Sequence, residues 1–184
     1  MNYIMTIGGV TRKLPLCPIS DHLQIAAFIL LGDVELTKAC AEALAKMAPP
    51  HDIIITAETK GIPLAYEIAS ILGHNRYVVL RKSQKLYMPD ALAVEVNSIT
   101  TANQQTLYMD SVDAELLKGK RVLIIDDVIS TGNSLKAIET LVHKAGGITA
   151  AKMAVLAEGD AQNMNDIIYL KKLPLFDETG TAKI

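Results

Sequence analysis

Unbroken aliphatic runs alternate with stretches of helical spacing along most of the chain. Ile53-Ile54-Ile55-Thr56-Ala57, Tyr77-Val78-Val79-Leu80, Val122-Leu123-Ile124-Ile125 and Ile148 to Ala157 are short, apolar and rich in β-branched residues. Strands buried on both faces have this character, as in parallel sheets covered by helices. Between the runs, apolar positions recur three and four residues apart. One set is Leu36, Ala39, Cys40, Ala43, Leu44 and Met47. A second is Leu64, Ile68, Ile71 and Leu72, and a third is Leu135, Ile138, Leu141, Val142 and Ala145. Each set predicts a helix with one buried face. Asp33 is a suitable N-cap for the first, and Pro49-Pro50 ends it. Ile62-Pro63 opens the second, and Gly73 ends it. Strand followed by helix, repeated, predicts an α/β fold: a mainly parallel sheet flanked by helices.

The remaining segments read less regularly. Ala93-Val94-Glu95-Val96 and Gln105-Thr106-Leu107-Tyr108-Met109 are extended pieces around a polar tip, Ser98 to Gln104, which is expected to be mobile. Asp166 to Leu170 reads as the last strand, and the tail from Asp177 to Ile184 as frayed. Residues 1 to 31 resist assignment, because Pro15 and Pro18 interrupt any period. Within them Ile25 to Leu31 forms an apolar run, either a strand or a core loop, that holds Phe28.

Composition narrows the class. A chain of 184 residues, half of them apolar, suits one domain with a full core, so 1–184 is taken as a single domain. A net charge of −2 without a basic run argues against nucleic acid as the main partner. No apolar run approaches ~18 residues, so no membrane partner is expected. The N-terminus lacks the pattern of a signal peptide. Cys17 and Cys40 stand far apart, and the four histidines are scattered, which argues against a structural zinc site. Two unpaired thiols suit the cytoplasm.

The chemistry concentrates in Val122 to Leu135. A buried strand ends in Asp126 and Asp127, then Ser130-Thr131-Gly132-Asn133-Ser134 leads into a helix. A helix start attracts an anion through free N–H groups and its dipole, and Gly132 allows the backbone to approach closely. The two carboxylates would repel phosphate. They suit sugar hydroxyls, directly or through Mg2+. A ligand with a diol at one end and a phosphate at the other meets both demands. In the loop after the first sheet strand, Glu58-Thr59-Lys60-Gly61, Lys60 and Gly61 would suit an anion, but on spacing alone this is an ordinary strand–helix turn, and the cluster Arg81, Lys82 and Lys85 reads as a solvated edge.

The segment LIIDD-VI-STGNS resembles the phosphoribosyl diphosphate signature of type I phosphoribosyltransferases. The resemblance extends from about Gln24 to Leu170. It implies that Asp126 and Asp127 hold the ribose hydroxyls and that Ser130, Thr131, Gly132, Asn133 and Ser134 cradle the 5′-phosphate. Thr59, Lys60, Gly61, Arg81, Lys82 and Lys85 would then bind diphosphate. It further implies a small hood, built from the N-terminal segment and the region after Glu158, and Mg2+ carried with the substrate rather than in a dedicated protein site. A homodimer is implied as well, with some contacts crossing between copies, and the polar tip would be a catalytic lid.

The segment Gln24 to Phe28 is similar to one in xanthine enzymes that covers the base, so Phe28 is open to two roles, core packing or base stacking. The loop glutamate of adenine enzymes and the signature aspartate of hypoxanthine enzymes are both missing, and no general acid or base stands out. Glu158 falls at or beside the position where 6-oxopurine enzymes carry a lysine. An ionised carboxylate only accepts hydrogen bonds, which suits a 6-amino group. The expected activity is transfer of a phosphoribosyl group to a purine, with adenine favoured. A 6-oxopurine enzyme such as a xanthine phosphoribosyltransferase is the alternative. A non-catalytic sensor of phosphoribosyl diphosphate is a further one.

Overall fold

The computed structural model describes residues 1–96 and 105–183. In chain order it begins with strands β1 (Asn2–Ile7), β2 (Val10–Ser20) and β3 (Leu23–Ala26). Helix α1 (Val34–Ala45), strand β4 (Ile53–Ala57), helix α2 (Gly61–Ile71) and strand β5 (Val78–Leu80) follow. Next come β6 (Leu92–Val96), β7 (Gln105–Met109), the short helix α3 (Ser111–Leu117), β8 (Arg121–Ile129) and helix α4 (Asn133–Lys144). The chain closes with β9 (Ile148–Glu158), a 3-10 turn at Gly159–Asn163, and β10 (Ile168–Leu173), β11 (Leu175–Phe176) and β12 (Ala182–Lys183).

The central sheet has the order β10-β9-β8-β4-β5 and every pairing in it is parallel. Helices cover both faces. Leu123 and Ile125 of β8 point into a layer with Leu36, Leu44, Leu64 and Ile68 of α1 and α2. Val122 and Ile124 point the other way, towards Leu117, Ile138 and Leu141 of α3 and α4. All four β8 residues are fully buried. This explains the unbroken aliphatic run, since alternation with polar residues belongs to strands with one wet face.

A second, antiparallel sheet of order β1-β2-β3-β11-β12 joins the N-terminal strands to the C-terminal ones. Met5, Ile7 and Leu14 pack from it onto the α1–α2 layer, and the rings of Tyr3 and Phe176 meet at 5.0 Å. Arg12 ties this sheet to α1: its Nε donates to Asp33 Oδ2 at 2.6 Å and its Nη2 to Glu35 Oε2 at 2.7 Å. Asp33 also caps the helix by accepting from Leu36 N, as its residue type predicts.

Several expectations need correction. The first 31 residues are mostly strand. The period is hidden because β2 accommodates Pro15 and Pro18, and its outer half is exposed. The tail is not frayed through 183. Asp177 Oδ1 accepts from Thr179 N and Thr181 N, both at 2.9 Å, and β12 pairs with β11. Helix α3 has seven residues and only Leu117 of it is buried, too little for a period to register. The lid expected at Ser98 to Gln104 lies outside the described residues. No described helix is long and apolar enough to cross a membrane.

At the end of the sheet remote from the strand C-termini, His51 and His74 join the turn before β4 to the turn after α2. His51 Nδ1 donates to Pro49 O at 2.8 Å, which leaves its Nε2 to accept from His74 Nε2 at 3.0 Å. Burial, then the repulsion His74 would meet from a protonated His51, pushes His74 below the ordinary histidine range, and Asp52 opposes the shift. A depressed histidine binds fewer protons folded than unfolded, so it removes stability as pH falls below about 6.5. Urea midpoints measured from pH 8 to pH 5 should fall with acidity, and His74→Asn should make that fall shallower.

Candidate active site

The C-terminal ends of β4, β5, β8 and β9 lie along one edge of the central sheet, and most of the predicted site residues collect there. The buried run of β8 carries Asp126 and Asp127 to that edge. Asp127 is only 4% exposed, while Asp126 is partly open. The amide of Asp127 donates to Asp126 Oδ1 at 2.9 Å. Loss of surrounding water, followed by repulsion from Asp127, pushes the Asp126 carboxyl up to about 7.

Beyond the acids, Ser130 to Ser134 line a small cavity together with Asp126. Gly132 has φ of +76° and precedes the first turn of α4 as its N-cap. The left-handed backbone is what calls for glycine; a Cβ there would lie 2.7 Å from Met164 Cε, the mobile end of a side chain that can shift aside. The 3-10 turn after β9 buttresses the same loop, with Ala161 N donating to Ser130 O at 3.0 Å. Met164 carries no signal in the sequence that would mark it. A flexible thioether filling an irregular gap is recognisable only once the fold brings it over the loop.

The loop Glu58-Thr59-Lys60-Gly61 enters α2 on the other side of the acids. Lys60 Nζ lies 2.7 Å from Asp127 Oδ2. Gly61 is enclosed: a Cβ would come within 2.4 Å of Thr56 Oγ1 and 3.5 Å of Asp126 Oδ1. Thr56 is fully buried in β4, and its hydroxyl has no hydrogen-bond partner among the described residues. Glu58, which the sequence does not single out, organises the next loop. Its Oε1 lies 2.8 Å from Arg81 Nε, and its Oε2 accepts from Lys82 N at 2.8 Å. Lys82 is exposed, and Lys85 Nζ donates to Ser83 Oγ at 2.6 Å, so these two lysines are not drawn to the carboxylates.

The two residues expected at a base differ in placement. Glu158 ends β9 at the same edge of the sheet, paired with Leu173 of β10. Burial raises its carboxyl above the ordinary range, opposed by the charge of Lys60. Phe28 is only 3% exposed and belongs to the α1–α2 core layer. Of the two roles open to it, core packing is the one the structure displays, and its ring offers no open face for stacking.

The arrangement is a small loop-lined cavity at a helix start, a pair of carboxylates beside it, and cations from two neighbouring loops. Gly132→Val should weaken binding of a phosphorylated sugar at least about tenfold, measured by calorimetry, because a β-branched residue cannot hold the left-handed backbone at the start of α4 without strain. Asp126→Asn tests the carboxylate pair. An acid raised towards 7 binds more protons folded than unfolded, so it costs stability as pH climbs through that range. The variant should gain about 1–3 kcal/mol over wild type at pH 8, and the gain should shrink towards pH 5.

Comparison with known proteins agrees with this geometry. Residues 35–180 match the pattern that describes the phosphoribosyl transferase domain. A hypoxanthine/guanine phosphoribosyltransferase of Methanococcus voltae is 34% identical over 167 residues, 91% of this chain and 80% of that protein. An adenine phosphoribosyltransferase of Petrotoga mobilis is 30% identical over 145 residues, 75% of this chain and 79% of its own. Among solved structures, the adenine phosphoribosyltransferase of Thermoanaerobacter pseudethanolicus superposes with a TM-score of 0.73 at 25% identity, covering 87% of this chain and 95% of that one. The match runs over most of the chain, and the chain belongs to the phosphoribosyl transferase family.

Proposed function

We propose that this chain transfers the 5-phosphoribosyl group of phosphoribosyl diphosphate to a purine base, with adenine preferred, releasing diphosphate. The observation that carries the reading is the convergence of three groups at one sheet edge. Ser130 to Ser134 accept the 5′-phosphate at the start of α4, Asp126 and Asp127 accept the ribose hydroxyls, and Lys60 and Arg81 stand where a diphosphate would need positive charge. Thr59 and Gly61 complete the loop on that side, and Lys82 and Lys85 extend the cationic surface towards it.

In such a reaction the bond from sugar to diphosphate breaks as the base nitrogen closes on the anomeric carbon. Positive charge develops on the ring, and negative charge on the leaving group. Carboxylates below the sugar favour the first and cations beside the diphosphate favour the second, so positioning and preorganised charge supply much of the catalysis. Mg2+ suits the donor set, because Asp126 and Asp127 are oxygen ligands and Asp127 Oδ2, although 2.7 Å from Lys60 Nζ, accepts no hydrogen bond among the described residues. Among the described residues no third histidine, cysteine or carboxylate completes a protein cage, so the ion would be held largely by substrate oxygens. When bound it would neutralise charge on the departing diphosphate.

The choice of adenine rests on Glu158 at the end of β9. An ionised carboxylate accepts from an amino group and leaves a carbonyl oxygen unpaired, a difference of about 1–3 kcal/mol per buried group. The similarity to hypoxanthine/guanine enzymes supports the second reading, a 6-oxopurine substrate. A second copy of the chain is the proposed partner. Leu86 and Tyr87 protrude beside Lys85, and an apolar groove of about 430 Å3 runs between α1 and α2 past Thr59 and Tyr66. Docking one into the other would bury both beside the cationic loops. These activities would take place in the cytoplasm, within a single domain hooded by the antiparallel sheet.

Nucleotide formation from phosphoribosyl diphosphate should be assayed with adenine, hypoxanthine, guanine and xanthine in turn. Adenine should lead in kcat/KM by tenfold or more, and Glu158→Lys should move the preference towards a 6-oxopurine. Turnover of a 6-oxopurine with adenine inert would favour the second reading, and binding without turnover of any base would favour a sensor.

A further inference from the structure

Resting on the reading above, we infer that Lys60 is a latch that couples diphosphate binding to ribose binding: in the free protein it occupies Asp127, and diphosphate draws it away.

The placement of charge supports this. Lys60 Nζ sits 2.7 Å from Asp127 Oδ2, yet that oxygen accepts no hydrogen bond among the described residues, so the pair is held by charge without the alignment that strengthens it. Asp127 is almost wholly buried, whereas the Lys60 side chain is 46% exposed. The lysine is therefore the partner free to leave, and the carboxylate is the one that cannot remain unsatisfied. The charge of Lys60 also reaches Asp126 and Glu158, opposing the rise of each carboxyl. One ammonium thus serves acids assigned to the ribose and to the base. The neighbouring loop repeats the pattern, since Glu58 holds Arg81 at 2.8 Å. Two cations assigned to diphosphate are occupied by carboxylates in the free chain.

Lys60 has three donors but a single charge, so its pull on Asp127 weakens as it turns to a diphosphate oxygen. When diphosphate arrives it competes for Lys60 with several oxygens and full charge. Asp127 then loses its cation and becomes a stronger acceptor for the ribose hydroxyls. A sugar arriving alone must displace Lys60 with nothing to receive it. Each ligand therefore favours the other, by the same factor in either order.

Calorimetric titrations with inorganic diphosphate, with ribose 5-phosphate, and with each in the presence of the other measure that factor. They are run without divalent cations, so that no metal bridges the two ligands. The comparison is between wild type, Lys60→Met and Lys60→Arg. The coupling factor should be at least about fivefold larger in wild type than in Lys60→Met, with Lys60→Arg restoring part of it. Ribose 5-phosphate alone should bind Lys60→Met at least as tightly as wild type, because no latch has to open. A coupling factor unchanged in Lys60→Met, or weaker binding of ribose 5-phosphate alone to that variant, would overturn the latch and leave the proposed function standing. Failure of wild type to bind either ligand would overturn both.

Discussion

Two adjacent carboxylates lie near the C-terminal end of a strand that is buried on both faces, which pairs on through Ile129, and the candidate site is arranged around them. Asp127 has almost no access to water, and Asp126 is pressed towards its neutral form by the same surroundings. Adjacent acids in such a place require a cation, a proton or a ligand rich in hydroxyls. The chain supplies Lys60 from the β4–α2 loop, and the amide of Asp127 shares the load on Asp126. A site built from groups that are poorly satisfied by the protein alone is one that gains from a substrate able to satisfy them.

The scaffold that holds this edge was readable because it is local. Runs such as Val122 to Ile125 and faces such as Leu135, Ile138 and Leu141 state their burial within a few residues. The antiparallel sheet was not readable, because β1 to β3 acquire a buried face only when Phe176 and the α1–α2 layer come to meet them. The chemistry divides in the same way. The acid pair and the glycine-containing loop from Ser130 to Ser134 are contiguous and could be recognised from residue types. The pairing of Lys60 with Asp127, the hold of Glu58 on Arg81 and the cover of Met164 over Gly132 join residues far apart in sequence, and nothing in their local spacing announces them. Phe28 illustrates the ambiguity of a single aromatic: composition allowed two roles, and only the packing separates them.

Gly61 carries a consequence that extends beyond ligand binding. It begins α2 directly above Thr56, whose hydroxyl occupies the space a side chain would need. The lack of a side chain there is thus imposed from inside the sheet, before any anion is considered. Divergence at the two positions has to be correlated: a bulkier residue at 61 becomes tolerable only after a smaller one has replaced Thr56. A buried strand residue therefore restricts which loops this sheet edge can evolve, and part of the sequence of the loop between β4 and α2 is a record of packing.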